Sequence, residues 1–273
     1  MQQGGIRFRK KILFPCLAMM LLLQVTSLFF PGKLLAQYQL PDSIKAEWNR
    51  YKNTRDDSLR VVSLSKLAWL YRYYLDDDER VDSLSEASIR IAEMSFRPGL
   101  LMLAYNNYLE STDPVNEGYY KKAVGYANKA LQNSRISGNL RMRWHTFINL
   151  ARIYLSWGSY ENALLCSNDA LAIAHTLKND TMMAESYLFI AKSNGYKNLK
   201  MEAFQNFCVM KDLAEKTGDP HLLIKCYNEL SKFYHDNNLF EYAIDYKMKE
   251  GATSRVLNQL ILPHLSGSST GCS

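Results

Sequence analysis

The sequence predicts an all-α protein, a right-handed α-α superhelix in which about five helix pairs stack into a solenoid. Three observations predict it. Similar residues recur every 40 positions in the C-terminal half, apolar residues within each repeat have helical spacing, and glycine and proline are scarce at 13 and 7 of 273 residues. Apolar residues make up 47% of the chain and charged residues 22%, which is typical of a folded globular protein.

The N-terminal segment has the features of an export signal. Residues 1–11 are basic, residues 12–30 form an apolar run, and the small residue Ala36 precedes the polar Gln37. This order predicts a secretory signal peptide, residues 1–36, that is cleaved after Ala36 to give a periplasmic or secreted protein. The alternative is an uncleaved anchor, and then this segment alone would contact a membrane.

The net charge of +6 comes mainly from that segment. It contains five basic and no acidic residues, whereas the remainder has 28 Lys and Arg against 27 Asp and Glu. A nearly neutral remainder gives no electrostatic reason to expect a nucleic-acid partner. We therefore expect no nucleic-acid partner.

An introductory helix and linker occupy residues 37–57, with the helix near residues 42–53, and a helical repeat array follows over residues 58–252. In the first two pairs, 19 positions separate the small residues that mark the two helices, against 12 in the third. The seven additional residues form either two helical turns or a loop. The turn-forming residues at 76–78 and 112–114 favour a loop. The small residues are Ala68 and Ala87, Ala104 and Ala123, and Ala151 and Ala163.

The last three pairs repeat most regularly. Asn139, Asn179 and Asp219 are 40 positions apart, and each can cap the helix that follows. Gly138 and Gly218 precede two of them, where the preceding helix ends in a left-handed conformation. Within each repeat an aromatic or aliphatic residue is followed by apolar and small residues at i+3, i+4 and i+7. In the third pair these positions are Phe147, Leu150, Ala151 and Tyr154.

This pattern resembles the tetratricopeptide repeat. The resemblance covers residues 58–252 and is closest over residues 140–250, although the period is 40 rather than about 34. It implies antiparallel helix pairs whose first helices line a concave groove that binds a peptide or protein. The motif consists of Phe147, Leu150, Ala151, Tyr154, Gly158, Tyr160 and Ala163.

The resemblance also implies partner-binding positions between the core positions of the first helices. Arg152, Lys192 and Lys232 form one cationic series with a spacing of 40, which suits an acidic segment or a terminal carboxylate. An ordinary solvated helix face is the alternative interpretation. A second predicted series is His145, Glu185 and Lys225, and a third is Ile148, Leu188 and Asn228. Two more predicted groove residues, Tyr196 and His235, lie near the far end.

The C-terminal residues 253–273 are predicted to be irregular. Gly251 and Ser254 interrupt the last repeat helix, and Pro263 cuts a short closing helix. The G-x-S-x-G match at residues 267–271 lies in this tail, without the strand–turn–helix context that the motif requires. A Cys208–Cys226 bridge is conceivable in an exported chain, but buried free thiols are the favoured interpretation.

No motif for catalysis, for a metal or for a cofactor is recognisable. We therefore expect a protein that is not an enzyme and that needs no metal or cofactor. The leading hypothesis is an exported, non-catalytic interaction scaffold that binds a peptide or protein in its concave groove. The alternative is a periplasmic sensory input module of a signalling protein, of the kinase or transcription-regulator type, that is truncated here.

Overall fold

The computed structural model describes residues 31–111 and 117–266, and it describes side chains over residues 42–111 and 117–258. Within these ranges the chain forms eleven α-helices and no strand, so the predicted all-α class is confirmed. The helices are α1 (Pro31–Asn53), α2 (Asp57–Leu70), α3 (Asp78–Met94), α4 (Pro98–Ser111), α5 (Glu117–Ser137), α6 (Leu140–Ser156), α7 (Tyr160–Thr176), α8 (Asp180–Tyr196), α9 (Lys200–Thr217), α10 (Pro220–Asp236) and α11 (Phe240–Ser266).

Ten of these helices form the five expected pairs, α2 with α3 through α10 with α11, and α1 packs on α2. The first helices of the first four pairs also contact one another in succession, and they therefore form one continuous layer. Ion pairs join α8 to α10 within the same layer. Each pair buries its apolar face against its neighbours, which is the arrangement of a helical solenoid.

The three predicted helix caps are confirmed. The side-chain oxygens of Asn139, Asn179 and Asp219 accept hydrogen bonds from backbone N–H groups two or three residues later, at 2.9–3.4 Å. Each bond satisfies a backbone donor that has no partner inside the helix. The caps therefore fix the start of α6, α8 and α10 at intervals of 40 residues.

Left-handed residues recur with the same period. Gly138 and Gly218 both have φ of 66°, as predicted, and the matching position in the middle repeat is Lys178 with φ of 49°. Glycine adopts this conformation freely, whereas a lysine is strained in it. The second series connects the two helices of each pair and consists of Gly158, Asn198 and Asn238, with φ of 76°, 62° and 60°.

The prediction of a loop at residues 76–78 is largely wrong. The helix α2 continues directly into a π-helical segment, Tyr71–Leu75, and only Asp76 and Asp77 separate that segment from α3. The guanidinium of Arg72 stabilises the extension because it donates to the backbone oxygen of Ser111 at 2.9 Å and pairs with Asp78. The second predicted loop, at residues 112–114, lies outside the described residues.

The interruption predicted at Gly251 and Ser254 and the cut predicted at Pro263 are wrong, because α11 runs without a break from residue 240 to residue 266. The part of the predicted irregular tail that the structure describes, residues 253–266, is therefore helical. One glycine inside a helix costs only about 1 kcal/mol relative to alanine. Local contacts on both sides of it offset that cost. They are the ion pairs Lys247–Glu250 at 2.6 Å and Lys249–Asp245 at 2.7 Å, and the hydrogen bond from Thr253 Oγ1 to the backbone oxygen of Lys249 at 2.9 Å.

Buried polar side chains join successive first helices. Asn106 on α4 donates to Thr146 Oγ1 at 3.0 Å and accepts from Asn149 at 3.2 Å. Between α6 and α8, the indole N–H of Trp144 donates to Ser186 Oγ at 3.0 Å. A buried polar group is costly unless it is paired, so these bonds favour one register between neighbouring pairs.

Candidate partner-binding groove

Three of the predicted groove residues come together at one cavity. Lys192 and Tyr196 on α8 and Lys232 on α10 line a space of about 320 Å³. Residues of α9, Lys200 and Phe207, line it as well. This volume is at the low end of the range of ligand pockets, about 300–1,000 Å³. It suits one or two side chains of a bound peptide.

The floor of this cavity, which we call the lysine cavity, is apolar. Ala191 and Phe207 are buried, and the ring of Phe233 packs against Phe207 with 5.1 Å between the ring centroids. At the rim, the exposed Tyr196 stacks on Tyr160 at 5.2 Å with the ring planes nearly parallel. Aromatic groups of this kind offer a large contact area to a partner at a low cost in side-chain entropy.

One carboxylate is shared by the two cavity lysines. Glu229 Oε1 accepts a hydrogen bond from Lys192 Nζ at 3.1 Å, and Lys232 Nζ lies 3.7 Å from the same oxygen. Lys200 and Asp236 also line the cavity. Among the described lining residues, three lysines therefore face two carboxylates, which leaves a positive balance for an acidic group of a partner.

Sequence reasoning missed Glu229, although its position contained a signal. It lies three residues before Lys232 on α10, a spacing at which a glutamate and a lysine meet on one helix face. A similar pairing joins Lys225 Nζ to Glu185 Oε1 at 2.7 Å across α8 and α10. The predicted His145, Glu185 and Lys225 series is thus partly neutralised within the protein.

The remaining predicted groove residues lie elsewhere. Arg152 is half-buried and its guanidinium donates to the backbone oxygen of Leu109, so it connects α6 to α4. The ring of His145 packs against Trp144 at 4.9 Å. His235 is exposed at the end of α10, and Asn228 is half-buried on that helix.

Leu188 is not available to a partner, contrary to the prediction. Its side chain is only 1% exposed and belongs to the core that joins α8, α9 and α10. The position that aligns with it, Ile148 on α6, is half-buried instead. The alignment of three helices gave a common position, but the exposure of that position differs from helix to helix.

The three cysteines that the structure describes lack the features of reactive thiols. Cys166, Cys208 and Cys226 are free thiols, so the conceivable bridge is not formed, and Cys272 lies outside the described residues. Burial raises the pKa of Cys226 and of Cys166 to about 12, which keeps both thiols protonated at neutral pH. In the part of the chain that the structure describes, no three His, Cys, Asp or Glu side chains are placed to hold a metal ion.

The same part of the chain contains no helix that is both long and apolar enough to span a membrane. The predicted signal residues up to position 30 lie outside it, and cleavage after Ala36 stays a prediction. No protein-family model matches the chain, and no curated protein matches it.

Solved structures do match. One is BtubC (BKLC) from P. vanneervenii, with a TM-score of 0.60, 18% sequence identity, and coverage of 83% of this chain and 92% of that chain. Another is a Podospora anserina protein described as a putative kinesin light chain with nearly identical TPR-like repeats. Its TM-score is 0.55 at 17% identity, and the match covers 74% of this chain and 97% of that chain.

A third match is a signal transduction ATPase with numerous domains and a tetratricopeptide repeat sensor, from Pyrococcus horikoshii. Its TM-score is 0.55 at 17% identity, and the match covers 89% of this chain but 41% of that chain. At these identities the likeness shows the fold alone. It agrees with the motif in the third helix pair and with the five stacked pairs.

Proposed function

We propose that this chain, whose fold is that of the tetratricopeptide-repeat solenoids, is an exported, non-catalytic scaffold that binds a peptide or protein partner in its concave groove. The observation that carries the proposal is the lysine cavity. It places an apolar, aromatic floor beside two lysines that share one carboxylate. An acidic side chain or a terminal carboxylate on an otherwise apolar peptide has the complementary chemistry.

The test is selection of binding peptides from a random display library with the purified chain, followed by titration of the selected peptides. We expect acidic residues to be enriched next to aromatic or aliphatic ones. The combined change Lys192→Gln and Lys232→Gln should weaken binding about tenfold or more, because both charged donors to the peptide are lost. Circular dichroism should show unchanged helicity.

The matched control removes two lysines elsewhere. Lys121→Gln with Lys247→Gln makes the same change in net charge and also removes two ion pairs, one within α5 and one within α11. It should leave peptide binding unchanged. If the control and the cavity variant weaken binding equally, general charge and not the cavity attracts the peptide, and the proposed site is wrong.

Export is tested separately by N-terminal sequencing of the protein from its native cells. A first residue of Gln37 is the result that we expect from cleavage after Ala36. A chain that retains residues 1–36 would contradict cleavage. This outcome would not affect the peptide-binding proposal.

The second candidate function is a sensory input module of a signalling protein of the kinase or transcription-regulator type. It is favoured by the likeness to the ATPase with a tetratricopeptide repeat sensor, in which a fold of this kind makes up only part of a longer chain. Immunoblotting of native cells separates the candidates. A band at or below 31.5 kDa fits the scaffold, and a much larger band fits the sensory module.

A further inference from the structure

The two ends of the described helical array differ in how their apolar faces are covered. At the N-terminal end, α1 covers the first pair, and its side chains Ile44, Trp48 and Tyr51 pack against the buried core of α2 and α3. At the C-terminal end, α11 packs on α10 and presents its opposite face to solvent. Terminal elements of repeat proteins normally have a polar outer face, because nothing stacks on them.

The outer face of α11 is apolar instead. Ile244, Met248, Ala252 and Val256 follow one another at intervals of four residues, which places them along one side of the helix. Ile244, Met248 and Val256 are 61%, 68% and 55% exposed. We call these four residues the α11 stripe. Large exposed apolar side chains in a continuous row are characteristic of an interaction surface.

The α11 stripe has the symmetry of a self-complementary surface. Two copies of α11 that run antiparallel and cross at residue 250 place Ile244 opposite Val256 and Met248 opposite Ala252, twice each. The same register places the Asp245 carboxylate opposite the Arg255 guanidinium. Both of these charged side chains are exposed beside the stripe, on the same helix, where Asp245 also pairs with Lys249 at 2.7 Å. Opposite charges therefore meet at both ends of the contact.

The crossing point has room for close approach. Gly251 has no side chain, a Cβ placed there would meet nothing within 4 Å, and its neighbour Ala252 carries only a methyl group. Small residues at a crossing let two helix backbones approach, so that the larger Met248 and Ile244 can pack around them. A two-fold contact uses the same patch on both partners, which this arrangement supplies.

We propose that the α11 stripe is the interface of an antiparallel, two-fold symmetric dimer of this chain. Dimerisation through α11 covers the exposed α11 stripe, as α1 covers the apolar face of the first pair at the other end of the described array. It also links two lysine cavities in one particle. A bivalent partner would then gain from the effective concentration of the second site.

Sedimentation velocity of the purified chain over a range of concentrations tests the proposal. We expect a monomer–dimer equilibrium that Met248→Glu shifts about tenfold or more toward monomer, because it places two carboxylates in the apolar contact. Leu165→Glu is the control, since Leu165 is similarly exposed but lies on α7. It should leave the equilibrium unchanged. A wild-type chain that is monomeric at every concentration overturns the proposal.

A charge exchange tests the register independently. Asp245→Arg alone places two pairs of like charges together, and Arg255→Asp alone does the same, so each should weaken the dimer. The two changes combined restore opposite charges across the two-fold axis and should restore dimerisation. If the combined variant is as weak as the single variants, the proposed antiparallel register is wrong. Thermal unfolding of each variant checks that the solenoid remains intact.

Discussion

The first helix pair and the last three pairs build the same hairpin by different means. In the last three pairs, Asn139, Asn179 and Asp219 cap the first helices, and left-handed residues recur in the turns at intervals of 40. In α2 and α3 the connection depends on a π-helical segment and on one arginine, Arg72, which reaches a backbone oxygen of α4. Local sequence therefore specifies the turns of the regular half, the last three pairs, whereas a contact between pairs stabilises the turn of the first pair in the irregular half, the first two pairs.

The layer of first helices also differs between the two halves. On α2 and the π-helical segment that continues it, the exposed side chains of Leu59, Val62, Trp69 and Tyr73 follow at intervals of three, seven and four, and the rings of Trp69 and Tyr73 stack at 5.1 Å. On α8 and α10 the corresponding layer carries paired lysines and glutamates. The repeated positions are those that fold the chain, and the positions between them are free to differ in chemistry.

The largest expected effect comes from breaking the core of the regular half. Leu188→Ala should lower the free energy of unfolding by about 2–5 kcal/mol, because a fully buried leucine leaves a cavity. Hydrogen exchange should show the greater loss of protection in α8 to α10 and less in α2 and α3, since each pair contacts only its neighbours. Leu165→Ala, at an exposed site, should have little effect. An equal loss of protection along the whole chain would contradict local stacking.

The turns at Gly218 and Lys178 occupy equivalent positions in the repeat but carry different residues, so substitutions there are expected to act in opposite directions. Gly218→Ala should lower the free energy of unfolding by about 1–2 kcal/mol, because alanine is strained at a φ of 66°. Lys178→Gly changes the equivalent turn in the opposite direction and should raise stability by up to about 1 kcal/mol. Urea unfolding measures both. Two changes of the same sign would show that the turns are not equivalent.

The smallest expected effect lies in the irregular half and depends on pH. The carboxylate of Glu47 on α1 is buried and lies 3.1 Å from Lys66 Nζ on α2. Burial acts to raise its pKa, but the nearby Ser63 hydroxyl and the charges of Lys66 and Arg50 outweigh it, so the pKa is below its usual value. A lowered pKa gives stability that is present at neutral pH and is lost as the pH falls through the folded-state pKa.

Glu47→Gln should therefore destabilise the protein at pH 7 by about 1 kcal/mol or less, and the difference should shrink as the pH falls below about 4. Thermal unfolding as a function of pH measures this. The exposed Glu117, which pairs with Lys121 within one helix, provides the control Glu117→Gln. A difference between Glu47→Gln and the wild-type chain that grows toward acid pH would contradict the assignment.

The sequence was sufficient for the helix pairs and for the caps and turns of the last three pairs, because these depend on residues close together in the chain. Asn179 is recognisable as a helix cap by its side-chain acceptor, and Gly218 as a turn residue by its freedom to adopt a positive φ. The extension through Tyr71–Leu75 was not predictable, since the Ser111 backbone oxygen that accepts from Arg72 lies 39 residues away. Glycine predicts a helix end at residue 251, but the ion pairs Lys247–Glu250 and Lys249–Asp245 stabilise the helix around it, so α11 continues.

The lysine cavity was predictable only in part. A spacing of 40 aligned Arg152 with Lys192 and Lys232, yet only the two lysines meet, because the guanidinium of Arg152 is bonded to the α4 backbone. Leu188 shares the alignment of a groove position and is buried. Periodicity identifies equivalent positions, but the neighbour on the next helix determines which of them remains open to a partner.

The most direct test of this account is hydrogen exchange of the chain with and without a peptide from the display selection. The account predicts slower exchange in α8 and α10 around Lys192 and Lys232, and no change in the second helices α5 and α7. Protection confined to those second helices, or to the aromatic face of α2, would contradict a binding site at the lysine cavity.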